Sequence, residues 1–254
     1  MAYEIKDDGK FKYIEEGEGE VVILLHGLFG ALSNFEDLFN HFRGKYKIVI
    51  PMLPLYDMPL LTTGVKTLAE FIKKFIIHKG YNDVTLLGNS LGGHVALVYI
   101  ERWPAKVKRL VLTGSSGLYE NAFGGTYPKR EDKEFIRNKT AATFYDPKHA
   151  TPVLVDEVYE IVNNRAKLIK VLALAKSAIR HNAKDDLHKI SVPTLLIWGK
   201  NDTITPPEVA EEFNKLITGS ELHWIDKCGH AAMMEHPEEF NTLLDTWLSK
   251  TPIK

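Results

Sequence analysis

The chain has a single cysteine, Cys228, so no disulfide can close within it and its thiol content does not call for an oxidising compartment. It has little charge imbalance either. A formal net charge of −1 lacks the basic footprint of a nucleic-acid binder or of a protein held electrostatically on an anionic membrane. Long hydrophobic runs are missing: the longest aliphatic stretch, Val21–Leu25, is far too short to span a bilayer. The first eight residues, Met1-Ala2-Tyr3-Glu4-Ile5-Lys6-Asp7-Asp8, contain no apolar signal-peptide core, and no internal repeat or long low-complexity tract follows. These absences predict a cytoplasmic globular protein with a small-molecule partner and neither nucleic acid nor membrane. They leave the oligomeric state open.

What the chain does have is a serine where serines are made reactive. Residues 84–87 form a short apolar run that ends in Gly88-Asn89-Ser90-Leu91-Gly92, and an apolar helix-like stretch follows at once. Gly-x-Ser-x-Gly between a strand and a helix is a nucleophile elbow. The turn is tight enough to strain the serine backbone, so Gly88 and Gly92 must lack bulk. The motif alone is weak evidence, and its weight comes from the partners found elsewhere in the chain.

Around it, apolar runs at 3–6, 11–14, 21–25, 47–50, 84–87 and 109–113 read as strands, the first two as edge strands joined across Asp8-Gly9. Ser33-Asn34-Phe35-Glu36 fits a capping box that opens a helix through about Phe42. Leu68, Phe71, Ile72, Phe75 and Ile76 share one helical face, and 91–101 is apolar on several sides. Alternating strands and helices predict a mainly parallel sheet flanked by helices. The alternation stops at about Gly117. Helices are expected at 131–139, 152–163 and 165–180, the last with a stripe of Leu168, Val171, Leu172, Ala175 and Ile179 that reads as packing. Strands at 194–198 and 221–225 and helices at 207–216 and 238–248 then resume the pattern. The expectation is an α/β core of residues 1–117 and 186–254 with a helical insertion at 118–185.

Serine is a weak nucleophile near neutrality and needs a base within hydrogen-bond reach and a group that orients that base. Behind an elbow these come in the chain order Ser, acid, His. Asp202 follows the strand at 194–198, and His230 follows the strand at 221–225. Strand ends on the carboxyl side of a parallel sheet converge on one edge, so Ser90, Asp202 and His230 can meet there. Asp202 taken alone could equally cap the helix entered at Pro206. Oxyanion donors are expected from the N–H of Leu91 and from the loop His26-Gly27-Leu28-Phe29-Gly30, with Leu28 first and Phe29 second. His26 reads as a brace for that loop.

The pieces Leu25-His26-Gly27, Gly88-Asn89-Ser90-Leu91-Gly92-Gly93, Trp198-Gly199-Lys200-Asn201-Asp202 and Cys228-Gly229-His230, followed by Glu235-His236-Pro237-Glu238-Glu239-Phe240, resemble the α/β-hydrolase family over essentially the whole chain. The resemblance implies the α/β-hydrolase fold, with the insertion as a helical cap between two core strands. Asn89, the stretch from Cys228 to Phe240, and Phe144-Tyr145-Asp146-Pro147 are most similar to the meta-cleavage-product hydrolases, which cut carbon–carbon bonds, and to related small esterases. The chain departs from that pattern in places. Leu28-Phe29-Gly30 replaces a Gly/Pro-rich stretch, and Ala231 stands where those enzymes carry Trp. Their carboxylate-gripping cap arginine aligns near Val158-Tyr159, leaving Arg165 or Arg180 as substitutes. Pro51-Met52-Leu53-Pro54-Leu55-Tyr56-Asp57 replaces a loop that borders the active site in relatives.

The reading is a serine hydrolase of a small, fairly apolar carboxylic ester or related acyl compound, with no cofactor and no metal. Phe29, Asn89, Phe144 and Ala231 are the expected substrate contacts. Leu118, Tyr119, Phe123, Phe135, Met233 and Met234 also point to an apolar pocket near the cap. Carbon–carbon bond hydrolysis is one alternative. A triad-bearing ligand receptor with little turnover is another.

Overall fold

The computed structural model describes residues 4–30, 32–119 and 129–253. Its strands are β1 (Lys6–Asp7), β2 (Lys12–Glu16), β3 (Val21–Leu25), β4 (Lys47–Pro51), β5 (Val84–Asn89), β6 (Val107–Thr113), β7 (Thr194–Gly199) and β8 (Glu221–Ile225). They form one sheet in the order β1-β2-β4-β3-β5-β6-β7-β8, antiparallel at the β1–β2 and β2–β4 pairs and parallel from β4 to β8. The helices are α1 (Glu36–Phe42), α2 (Val65–His78), α3 (Leu91–Arg102), α4 (Lys133–Ala141), α5 (Pro152–Asn163), α6 (Arg165–Arg180), α7 (Pro207–Leu216), α8 (Ala232–Glu235) and α9 (Pro237–Lys250).

Continuous apolar strands follow from burial on both faces. Successive residues of β3 divide between two cores: Ile23 and Leu25 pack with α2, α3 and α7, whereas Val22 and Leu24 pack with α1 and α9. Helix α3 lies under the sheet centre with every residue from Leu91 to Ile100 buried, which explains its lack of a polar face. Buried Arg109 on β6 donates to Thr85 Oγ1 at 2.9 Å and to Glu20 Oε2 at 2.6 Å, tying the sheet centre to the turn before β3.

Several expectations shift. The first strand is Lys6–Asp7 rather than 3–6, and Tyr3 lies outside the described residues. The capping box does not form: Leu32–Phe35 tightens into a 3₁₀ turn, and α1 starts at Glu36 without a side-chain cap. Phe35 is fully buried there. Burying a phenyl ring contributes about 2–3 kcal/mol against about 1 for a cap, so packing sets the helix start. The expected stripe on α6 splits. Val171 and Ala175 are buried with Leu174 and Ala178, whereas Leu172 and Ile179 face solvent. Helices α4, α5 and α6 lie between β6 and β7 in the chain. No helix among the described residues is long and apolar enough to cross a membrane.

Candidate active site

The turn from β5 into α3 places Ser90 at φ 55°, ψ −121°, one of only two non-glycine residues with positive φ among those described. A side chain at Gly92 would run into the Leu25 carbonyl, and one at Gly88 into the backbone of Gly92 and Gly93, so both glycines are sterically required. The Ser90 N–H donates to the Thr113 carbonyl at 3.2 Å, and the Ser90 carbonyl accepts from the N–H groups of His94 and Ser116 at 3.2 Å each. The strained residue is therefore held from both sides.

Asp202 and His230 meet at the end of the sheet. His230 Nδ1 lies 2.8 Å from Asp202 Oδ2. The two residues are only 3% and 7% exposed, so water does not compete for the contact. The other carboxylate oxygen accepts from the N–H groups of Ile204 and Thr205 at 2.8 and 2.9 Å. Asp202 thus orders its own turn and faces the imidazole at once. It does not cap α7, whose cap position is Pro206. Thr205, which the sequence reading missed, donates its hydroxyl to Asp202 Oδ2 at 2.8 Å and lies 3.2 Å from His230 Nδ1. The only signal for it was an Asp-x-x-Thr spacing in a turn.

Ser90 and His230 line one cavity of about 330 Å³, at the small end of ligand sites. Among the described residues the Ser90 hydroxyl makes no direct hydrogen bond to the imidazole, a contact that often tightens only when substrate binds. Leu28, Phe29 and Leu91 line the same cavity. Leu28 and Phe29 occupy a turn closed by Gly30 N–H on the Gly27 carbonyl at 3.0 Å, and Leu91 opens α3. Buried His26 has Nδ1 2.9 Å from the Gly27 carbonyl oxygen, and burial holds its pKa below the usual histidine range.

Asn89, Phe144 and Ala231 also line the cavity. The Asn89 amide, however, donates to the carbonyls of Thr113 and His230 at 3.0 and 3.3 Å, which makes it a strut beneath the histidine loop. Helices α4, α5 and α6 supply lining through Lys139, Thr140, Leu154, Val158, Ala175 and Ala178. Of the expected apolar wall, Phe144 and Met234 line the cavity. Leu118 and Met233 are in the cores, Phe135 packs against one of them, Tyr119 is exposed and Phe123 lies outside the described residues. Residues 51–57 do not line it; Leu53 and Leu55 are core, and Tyr56 sits under Lys167 of α6. Arg165 and Arg180 are exposed and away from the lining, which instead contains Lys139. Asn34 is a further missed residue: it lines the cavity, and its buried Oδ1 has no hydrogen-bond partner among the described residues. The described residues include no group of three or more His, Cys, Asp or Glu placed to hold a metal.

Residues 20–237 match the sequence model of the alpha/beta hydrolase fold. A 2-hydroxy-6-oxononadienedioate/2-hydroxy-6-oxononatrienedioate hydrolase of Klebsiella pneumoniae subsp. pneumoniae is 26% identical over 257 residues, covering 92% of this chain and 89% of that protein. A 2-hydroxy-6-oxo-6-(2'-aminophenyl)hexa-2,4-dienoic acid hydrolase of Metapseudomonas resinovorans is 29% identical over 265 residues, covering 94% and 87%. Among solved structures, MGS-MChE2, an alpha/beta hydrolase enzyme from the metagenome of lagoon sediments of Mar Chica, Morocco, superposes with TM-score 0.81 at 50% identity, covering 97% of this chain and 98% of that one. With the fold and these relatives in agreement, the chain belongs to the α/β-hydrolase family.

Proposed function

We propose that the protein is a serine hydrolase that cleaves small, largely apolar acyl substrates, carboxylic esters first among them, through a Ser90–His230–Asp202 triad. The observation that carries this reading is the buried Asp202–His230 contact at 2.8 Å opening onto the cavity that holds the strained Ser90. In the reaction Ser90 Oγ attacks the carbonyl carbon as His230 Nε2 takes its proton. Asp202 keeps the ring proton on Nδ1 and stabilises the imidazolium. The N–H groups of Leu91 and Leu28 receive the oxyanion. His230 returns the proton to the departing alcohol, and water, activated by the same imidazole, releases the acid and regenerates the serine. Residues 118–185 act as a cap whose helices enclose the acyl group.

A fluorophosphonate probe together with p-nitrophenyl esters of short acids tests the reading. Labelling that maps to Ser90, and ester turnover lost in Ser90→Ala, is expected. An unlabelled, inactive native protein would replace the hydrolase with a ligand receptor.

A second reading is carbon–carbon bond hydrolysis of a dienoate. It is favoured by the names of the curated relatives and by Lys139, a cation in the cavity lining that could meet a substrate carboxylate. Rapid loss of the chromophore of a 2-hydroxy-6-oxo-dienoate, with slow ester cleavage, would rank it first.

A further inference from the structure

Glu235 is a buried carboxylate without a part in the chemistry above. It ends α8, five residues after His230, and it accepts three main-chain N–H groups. Asp146 donates to Oε1 at 2.7 Å, Tyr145 to Oε2 at 3.1 Å and Gly229 to Oε2 at 2.7 Å. Two of these donors belong to the segment that leaves α4; the third precedes His230. The same segment is bound twice more to the site. His230 N–H donates to the Thr143 carbonyl at 2.8 Å, and Thr203 Oγ1 donates to the Ala142 carbonyl at 3.1 Å. Thr143 and Phe144 line the cavity. The approach is close: a side chain on Gly229 would come within 2.8 Å of the Phe144 Cα.

We propose that Glu235 is a positioning residue that clamps residues 143–146 of the cavity roof to the histidine loop, so that docking of the roof sets where the imidazole stands. This rests on the reading of His230 as the base. One carboxylate holds both segments because two main-chain N–H groups of the roof and one of the histidine loop face it. A buried donor left without an acceptor is costly, and a charged acceptor makes the stronger bond. Glutamine cannot replace it. Both oxygens accept, so either orientation of the amide sets an NH₂ group against at least one N–H. The histidine loop and the roof then separate. A base displaced by about 1 Å loses about a hundredfold in rate.

The test compares the parent with Glu235→Gln on a p-nitrophenyl ester, after titrating active sites with a fluorophosphonate. Counting sites removes misfolded enzyme from the comparison. The expected result is a kcat per titrated site lower by about a hundredfold, with slower phosphonylation of Ser90 and a raised KM. A purely structural Glu235 would lower the melting temperature and the titrated fraction while leaving kcat per site unchanged, and that result would overturn the proposal. Hydrogen exchange on the unmodified protein needs no variant. The amides of Tyr145, Asp146 and Gly229 are expected to exchange together as one protected group; rapid exchange of the first two with Gly229 still protected would also overturn it. A parent that neither hydrolyses esters nor reacts with the probe would instead sink the hydrolase reading, and the exchange experiment would still decide the clamp.

Discussion

Replacing Asp202 with asparagine isolates one property of the proposed triad, the tautomer of the imidazole. The two carboxylate oxygens have different tasks. Oδ1 accepts from the N–H groups of Ile204 and Thr205, whereas Oδ2 faces His230 Nδ1 and the Thr205 hydroxyl. In Asp202→Asn the amide oxygen must take the Oδ1 position, because an NH₂ there would confront two main-chain donors. The NH₂ group then points at Nδ1 and donates to it. The ring proton moves to Nε2, so the nitrogen proposed to take the Ser90 proton can no longer accept. The turn survives intact, since both N–H groups keep an acceptor and the Thr205 hydroxyl can rotate to accept instead of donate. The expected loss in kcat is about 10⁴-fold, the cost of the wrong tautomer in a Ser-His-Asp triad, or about 5.5 kcal/mol. Asp202→Ala would confuse the result, because it orphans the buried Thr205 N–H, at about 1–3 kcal/mol, and the partly buried Ile204 N–H. The assay is ester turnover with a parallel thermal melt. An asparagine variant that melts like the parent and turns over within an order of magnitude of it would refute the assignment of Asp202 as the orienting acid.

At Ser90, strain and chemistry can be separated. Ser90→Ala and Ser90→Gly should both be inactive, but the positive φ costs an L-residue about 1–3 kcal/mol, so calorimetry should find the glycine variant more stable than the alanine one; a less stable glycine variant would contradict the strain. Lys139→Met should weaken KM for acyl substrates bearing a carboxylate by about tenfold and leave neutral esters unchanged, as steady-state kinetics on a matched pair would show. Acid should destabilise the fold through buried imidazoles. Burial pushes the pKa of His94 down to about 3 and also lowers that of His26, from an ordinary value of 6.5. For His94, between about 6.5 and 3 the unfolded chain binds more protons than the folded one, so its stabilisation is complete above that window and falls as pH drops through it, by up to about 1.4 kcal/mol per unit, and His26 adds a slope of the same sign. Urea unfolding at a series of pH values should show that slope, and His94→Gln should remove one histidine's share of it.

The parts of the site that were legible in the sequence are those fixed by local geometry. Gly88-Asn89-Ser90-Leu91-Gly92 reads as an elbow because strain and lack of bulk must be encoded within five positions. Asp202 and His230 were legible because strand ends of a parallel sheet share an edge whatever the loops do. The chamber was less so. Leu118, Phe135 and Met233 are as apolar as Phe144 and Met234, and only packing decides which of them reach the cavity. On α6 nearly every turn carries an aliphatic residue, so periodicity could not tell the face of Ala175 and Ala178 from the exposed side of Leu172 and Ile179. Thr205, Asn34 and Glu235 are ordinary polar residues until the fold supplies their partners.

The distribution of these contacts bears on how substrate selection and catalysis are linked. Were the roof an independent lid, changing it would alter KM and spare kcat. The geometry argues otherwise. The elbow is held by the main chain of Thr113 and Ser116, and the Asp202 turn by its own N–H groups at Ile204 and Thr205, with only the Thr203 side chain reaching the roof, at the Ala142 carbonyl. The main chain of His230 differs, because its N–H bonds to Thr143 of the roof. Of the three members of the proposed triad, His230 is the one whose backbone is hydrogen-bonded to residues 143–146 of the roof. A substrate that displaces Phe144 therefore pulls on the residue next to the histidine's own hydrogen-bond acceptor. Acyl groups that fit poorly should lose kcat along with affinity, and a series of p-nitrophenyl esters of increasing chain length should show the two parameters failing together. A series in which KM climbs while kcat stays constant would mean that the roof moves freely of the base.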